Sequence, residues 1–220
     1  MLPELWDIIF ESCSSKTKSF LCSVNQHFHQ RSLKMMKPND YHDIIRSKKK
    51  ISLKYACQTG DIDIVNLMIE KGANHWNEGL YSACEGGHLE IVNLMIEKGA
   101  NDWNCGLYYA CEGGHLDIVN LMIEKGANNW NSGLTGACQG GHLEIVKLII
   151  EKGANVWNMG LSYACEGGHL QIVNLMIEKG ANDWNSGLFG ACNGGHINIV
   201  NLMIEKGASE CYCDKSINEH

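Results

Sequence analysis

Apolar residues recur along most of this chain at three- and four-residue spacing, in short runs that glycine cuts off. The clearest case is Asn74 to Ala100, NHWNEGLYSACEGGHLEIVNLMIEKGA. Leu80, Ala83 and Cys84 make a small apolar face, and Leu89, Val92, Met95 and Ile96 make a second. Both follow the period of an amphipathic α-helix. Gly86-Gly87 separates them, since glycine tolerates the positive φ that ends a helix. Asn77 is the predicted N-cap of the first helix. The second is predicted from about Leu89 to a C′ glycine at Gly99, with Lys98 favourably placed in the last turn. Neither reaches the ~12–15 residues that an isolated helix needs, so each must bury its face on a neighbour.

The neighbour is another copy of the same stretch. The pattern restarts at Asn101, Asn128, Asn155 and Asn182, and a degenerate copy without the Trp segment precedes it, ending at Gly72-Ala73. A fixed period of this length is the mark of a stacked-repeat architecture, in which each unit packs on the next. The expectation is an all-α solenoid of helix-turn-helix units over residues 52–208.

These residues resemble the ankyrin repeat. In GLYSACEGGHLEIVNLMIEKGAN, Ala83 falls on that family's helix-1 alanine and Gly87-His88 on its inter-helix turn. Val92, Met95, Ile96, Gly99 and Ala100 fall on its V-x-x-L-L-x-x-G-A frame. Two features depart from the family. Asn-x-Gly-Leu replaces its T-P-L-H opening, and the unit is shorter than the usual ~33 residues. The deficit lies between Ala100 and Leu107, where the family has a projecting β-hairpin, so tight turns are expected there. Short units of this kind are similar to those in ankyrin-repeat proteins of large DNA viruses of amoebae.

Residues 1–30 share nothing with the repeats. Leu2, Leu5, Ile8 and Ile9 make one helical stripe, with Pro3 suited to a first turn, and Phe20, Leu21, Val24 and Phe28 make another. The stretch ELWDIIFESCSSKTKSFLCSVNQHF resembles an F-box, through Glu4-Leu5, Ile9-Phe10, Cys13, Leu21, Val24 and Phe28. That resemblance implies a Skp-type adaptor of a cullin ubiquitin ligase as partner, met by Leu2, Pro3, Leu5, Ile8, Ile9, Phe10, Leu21 and Val24. The alternative for these helices is a cap over the apolar end of the array, with the chain a plain scaffold or decoy. Residues 31–51 read as a basic connector and 209–220 as a tail.

Charge and chemistry then narrow the function. The net charge is −7, and it is unevenly divided. Residues 1–54 carry an excess of five cationic side chains, and the remainder an excess of twelve carboxylates. An acidic array argues against nucleic acid, which needs a basic face. Cys57, Cys84, Cys111, Cys138, Cys165 and Cys192 share one repeat position, as buried thiols in a reducing compartment would. The N-terminus lacks a basic n-region, and the apolar runs are too short to span a bilayer. A cytoplasmic monomer is expected, with the nucleus left open.

His88, His115, His142, His169 and His196 recur with the period, each after Gly-Gly. Catalysis needs unlike groups converging on one pocket, so these are read as closing the inter-helix turn. No metal, cofactor or enzymatic activity is expected. Trp76, Trp103, Trp130, Trp157 and Trp184 are read as a stacked ladder bracing the turns. Binding is sought where the copies differ, at the start of the first helix. Glu78, Tyr81, Tyr108, Tyr109, Met159, Tyr163 and Phe189 are the candidates for holding a protein target on the concave face.

Overall fold

The computed structural model describes residues 52–209. The predicted adaptor contacts, from Leu2 and Pro3 through Leu21 and Val24, lie outside them, as do the connector up to Ile51 and the tail beyond Ser209. The described residues form twelve helices and no strand. First helices of the six units are α1 (Leu53–Thr59), α3 (Trp76–Gly86), α5 (Trp103–Gly113), α7 (Trp130–Gly140), α9 (Trp157–Gly167) and α11 (Trp184–Gly194). Second helices are α2 (Ile62–Glu70), α4 (Leu89–Lys98), α6 (Leu116–Glu124), α8 (Leu143–Glu151), α10 (Leu170–Glu178) and α12 (Ile197–Glu205). Each first helix packs on the first helix of the next unit and on its own second helix, which gives the expected solenoid.

The core runs down the axis as one repeated layer. Leu80, Ala83 and Cys84 of α3 are fully buried, with Ile91, Val92 and Met95 of α4 against them. The face of the second helix is rotated from the predicted one. Leu89, Leu116 and Leu170 are about two-fifths exposed, while Ile91, Ile118 and Ile172 are buried. A leucine in the first residue of its helix overhangs the edge of the layer, whereas the isoleucine two positions on points into it. Gly79, Gly106, Gly160 and Gly187 are buried because the methionine sulfur of their own unit occupies the space a Cβ would take.

The predicted N-cap is two residues late. The cap positions are His75, Asp102, Asn129, Val156 and Asp183, and Asp102, Asn129 and Asp183 accept from the amides of Cys105, Ser132 and Ser186. Asn77 has a different task. It lies inside α3, and its Oδ1 accepts from the backbone N–H groups of Asn101 (2.8 Å) and Asp102 (3.2 Å) in the next unit's turn. Asn104 does the same for Asn128 and Asn129, both at 2.9 Å, and Asn158 for Asn182 and Asp183. Asn131 and Asn185 each take one such amide, from Asn155 and Ser209. The turns are tight, as expected. Gly99 has φ 111°, and Ala100 N–H reaches back to the Met95 carbonyl, which closes a Schellman motif over a buried alanine.

The histidines do more than close their own turns. Nε2 of His88, His115, His142, His169 and His196 donates to the carbonyl of Gln58, Glu85, Glu112, Gln139 and Glu166 in the unit before, at 2.9–3.1 Å. A carbonyl can only accept, so the proton sits on Nε2. Each of these carbonyls lies in the last turn of a helix, where no intrahelical amide reaches it. The glycine pair makes room for the ring. A Cβ on Gly113 would meet both the His115 ring and the Glu85 carbonyl, and one on Gly87 would meet His115 from the other side.

The tryptophans are half-buried, and the ring contacts among the described residues involve only tyrosines. The expected indole stack is therefore not what they form. Burial of the shared cysteine holds from Cys57 to Cys165, but Cys192 is only half-buried. Cover thins in the last unit, where Ile204 is 54% exposed.

Substitutions at two positions probe these joints. Asn104→Ala removes the acceptor for two turn amides and should lower stability by about 1 kcal/mol in urea unfolding. Asn104→Asp keeps an acceptor there and should recover most of the loss. Gly140→Ala should destabilise by roughly 1–3 kcal/mol, because its Cβ would run into the Glu112 carbonyl. Helix propensity alone favours alanine by up to ~1 kcal/mol, so a stabilised Gly140→Ala would show that the helices do not approach this closely.

Candidate functional site

The positions that differ between copies lie at the start of the first helices, and the fold separates them by depth. Ser82, Thr135, Gly136 and Gly190 are buried. The two glycines admit the backbone of the preceding helix, since a Cβ on Gly136 or Gly190 would meet the carbonyl of Tyr108 or Ser162. Gly136 and Gly190 therefore act as spacers between successive first helices. Tyr81, Tyr108, Tyr109 and Tyr163 are half-buried, while Glu78, Met159 and Phe189 are exposed.

The candidates gather into two groups. In the first, Tyr109 stacks on Tyr81 with ring centroids 5.7 Å apart and planes 18° from parallel. Tyr108 stands edge-on to Tyr109 at 5.1 Å and 89°. The one-residue offset brings rings of adjacent units within reach of each other. Tyr81 donates its hydroxyl to Asp102 Oδ2, and Tyr108 donates to Gln139 Oε1 at 3.1 Å. Burial raises the Tyr81 phenol well above its ordinary range, and the Asp102 carboxylate raises it further. The Tyr108 phenol is pushed up to about 12, first by burial and then by Glu112. Both remain neutral hydrogen-bond donors at physiological pH. Glu112 is itself raised, by burial and then by Glu85.

In the second group Met159, Tyr163 and Phe189 line a shallow groove of about 330 Å³ with Ser162, Glu166 and Gly190. Met159 is 52% exposed and Phe189 48%, and because they line one groove they present a shared apolar surface. Tyr108 links the groups, since it lies within electrostatic reach of Tyr163 and Glu166 as well as Glu112. Glu78 joins neither. Its carboxylate lies 3.7 Å from His75 Nδ1 at the exposed start of α3. Sequence reasoning missed Asp102 and Gln139, which orient Tyr81 and Tyr108, and Asp183, which lines the groove. The signal was present, because adding the repeat period to Tyr81 or Tyr108 lands a few residues from each partner.

Among the described residues no group of three or more His, Cys, Asp or Glu could hold a metal ion, and no helix is long and apolar enough to cross a membrane.

Comparison with known proteins agrees with the architecture. The family model for ankyrin repeats (3 copies) matches residues 53–133, 80–160 and 134–216. The chain belongs to the ankyrin-repeat family, and such repeats form a protein–protein interaction module. No curated protein matches the chain. Among solved structures, the human ASB11 ankyrin repeat domain is 23% identical, with a TM-score of 0.48 over 74% of this chain and 85% of that one.

The surface carries its own internal control. Burial pushes the thiols of Cys84, Cys111 and Cys138 up to about 12, whereas Cys105 beside the tyrosine stack is exposed. Mass mapping after brief alkylation of the native protein should find Cys105 modified and those three untouched. Equal labelling of the four would mean that the helices part in solution.

Proposed function

We propose that this chain is a non-enzymatic adaptor. Its first-helix face holds a target protein, and residues 4–28 engage a Skp-type subunit of a cullin ubiquitin ligase, so that the target is presented for ubiquitination. The observation that carries the target-binding part is the division of labour within the repeat. Joint and core residues are the same in nearly every copy, whereas large side chains that differ from copy to copy sit partly exposed on one face. Tyr81, Tyr108, Tyr109, Met159, Tyr163 and Phe189 suit contact with protein, since tyrosine and other large side chains anchor hot spots with little entropy lost on ordering. The adaptor part is supported by the F-box resemblance of Glu4 to Phe28. The run of period-locked cysteines fits the reducing cytoplasm in which such ligases act.

The test uses the purified full chain and a purified Skp–cullin complex. Co-elution is expected. The double substitution Leu5→Ala with Ile9→Ala should abolish it while the melting temperature of the repeats barely moves, because truncating side chains outside the core changes stability by about 0.5 kcal/mol or less. If the unaltered chain does not bind, and the double substitution instead lowers the melting temperature by several degrees, the N-terminal helices are a cap. The chain is then a scaffold without a ligase.

A further inference from the structure

Lysine on this array is segregated by helix, while carboxylates occur on both helices of the unit. The first helices α3, α5, α7, α9 and α11 contain no Lys or Arg, and they carry Glu78, Glu85, Glu112 and Glu166. Every lysine from Lys71 to Lys206 lies in a second helix or at its C-terminal end. Among the described residues the only ion pair is His75 with Glu78, so Glu85, Glu112 and Glu166 have no cationic side chain within pairing distance. Like charges placed near one another cost energy. Glu85 and Glu112 are close enough for each to feel the other.

These carboxylates are interleaved with aromatic surface. Glu112 and Glu85 both lie within electrostatic reach of Tyr109, which stacks on Tyr81. Glu166 lines the groove of Met159, Tyr163 and Phe189. A ring face next to a carboxylate is what a guanidinium or ammonium group selects. The π-cloud attracts the cation, and the carboxylate adds a charge-assisted hydrogen bond. Arginine gains most, because its planar group can stack on the ring while its edge meets the carboxylate. A nucleic acid would be repelled by the same surface.

We propose that the first-helix face of α3 to α11 binds an extended basic peptide segment, with one cationic side chain on the Tyr81–Tyr109 stack beside Glu85 and Glu112, a second beside Tyr163 and Glu166, and an apolar side chain in the groove between Met159 and Phe189. This rests on the reading that the first-helix face is where a protein partner is held. Charge complementarity commits the occupant. A neutral or acidic segment would leave three carboxylates unanswered, and an apolar one would leave the tyrosine stack without a partner for its π-face.

The experiment selects ligands without bias and then tests their chemistry. A random dodecapeptide display library is panned against the full chain, and the enriched peptides are synthesised with a fluorophore for anisotropy. The expected result is enrichment in Arg and Lys together with one large apolar residue. Replacing arginine by citrulline, which keeps the shape and removes the charge, should weaken binding about ten-fold or more, as should Glu112→Gln with Glu166→Gln in the protein. Both glutamates lie on the surface side of their helices, so the double substitution should fold, and circular dichroism checks that it does. Affinity should also fall as salt rises.

Enrichment of neutral or acidic peptides whose binding is lost on Tyr109→Ala or Phe189→Ala would overturn the basic-peptide proposal and leave the face as the partner site. Enriched peptides indifferent to all of these substitutions, or no enrichment at all, would overturn the proposal and count against the face itself. Tight binding of a single-stranded oligonucleotide to the same face would also overturn it.

Discussion

The closeness of successive first helices governs the rest of this structure. At Gly86, Gly113, Gly140, Gly167 and Gly194 the helix backbone comes so near the carbonyl of the unit before that no Cβ fits between them. The imidazole of the following histidine is laid into the same gap and donates to that carbonyl. One ring thereby satisfies a helix C-terminal acceptor that its own helix cannot reach, and fixes the axial position of one unit on the next. On the other side of the unit, Asn77, Asn104 and Asn158 hold the turn amides of the next unit by the same logic. The family's projecting hairpin is dispensable here because a side-chain amide answers the backbone groups of the shortened turn.

A rigid registry of this kind decides what the remaining positions are free to do. With the Leu-Ala-Cys layer and the joints fixed by packing, the outward positions of the first helix can vary without disturbing a neighbour. Those positions hold Tyr81, Tyr109, Met159, Tyr163 and Phe189, and Glu85, Glu112 and Glu166 stand among them, while the lysines from Lys71 to Lys206 lie in the second helices or at their ends. The geometry also limits which variations meet. The half-buried tryptophans, one whole period apart, do not pair. Tyr81 and Tyr109, offset by one residue more, do.

Much of the fold was legible because the period exposes it. Leu80, Ala83 and Cys84 announced a core face, Gly86-Gly87 and Gly99 announced breaks, and the structure has them there. What misled was reading a single unit as if its polar residues served that unit. Asn77 looks like a cap because capping is the commonest local use of asparagine before an apolar run, yet its partner is in the next unit. The histidines likewise looked like local turn residues. Leu89 has the spacing of a core residue, but spacing alone cannot say how far a helix is rotated against its neighbour. Of the candidate site, the choice of face and most residues could be read from differences between copies. Its division into a tyrosine stack and a separate groove could not, since that depends on which rings lie across a joint.

The first unit shows what the joint residues are for. Where later copies read Glu-Gly-Gly-His, it reads Gln58-Thr59-Gly60-Asp61. Thr59 thus stands where later units have the glycine that approaches a preceding carbonyl, and Asp61 where they have the histidine that reaches it. Asp61 instead caps its own helix by accepting from Ile64 N–H at 3.1 Å. None of the five histidines makes such a cap. A histidine at this position therefore gives up a local hydrogen bond for one across the boundary. Gly60 is retained because it still receives the His88 ring from the following side. Each boundary thus has its helix ends satisfied by the neighbouring unit. Separating two units leaves a bare carbonyl on one side and bare turn amides on the other, and this couples the short helices into one array.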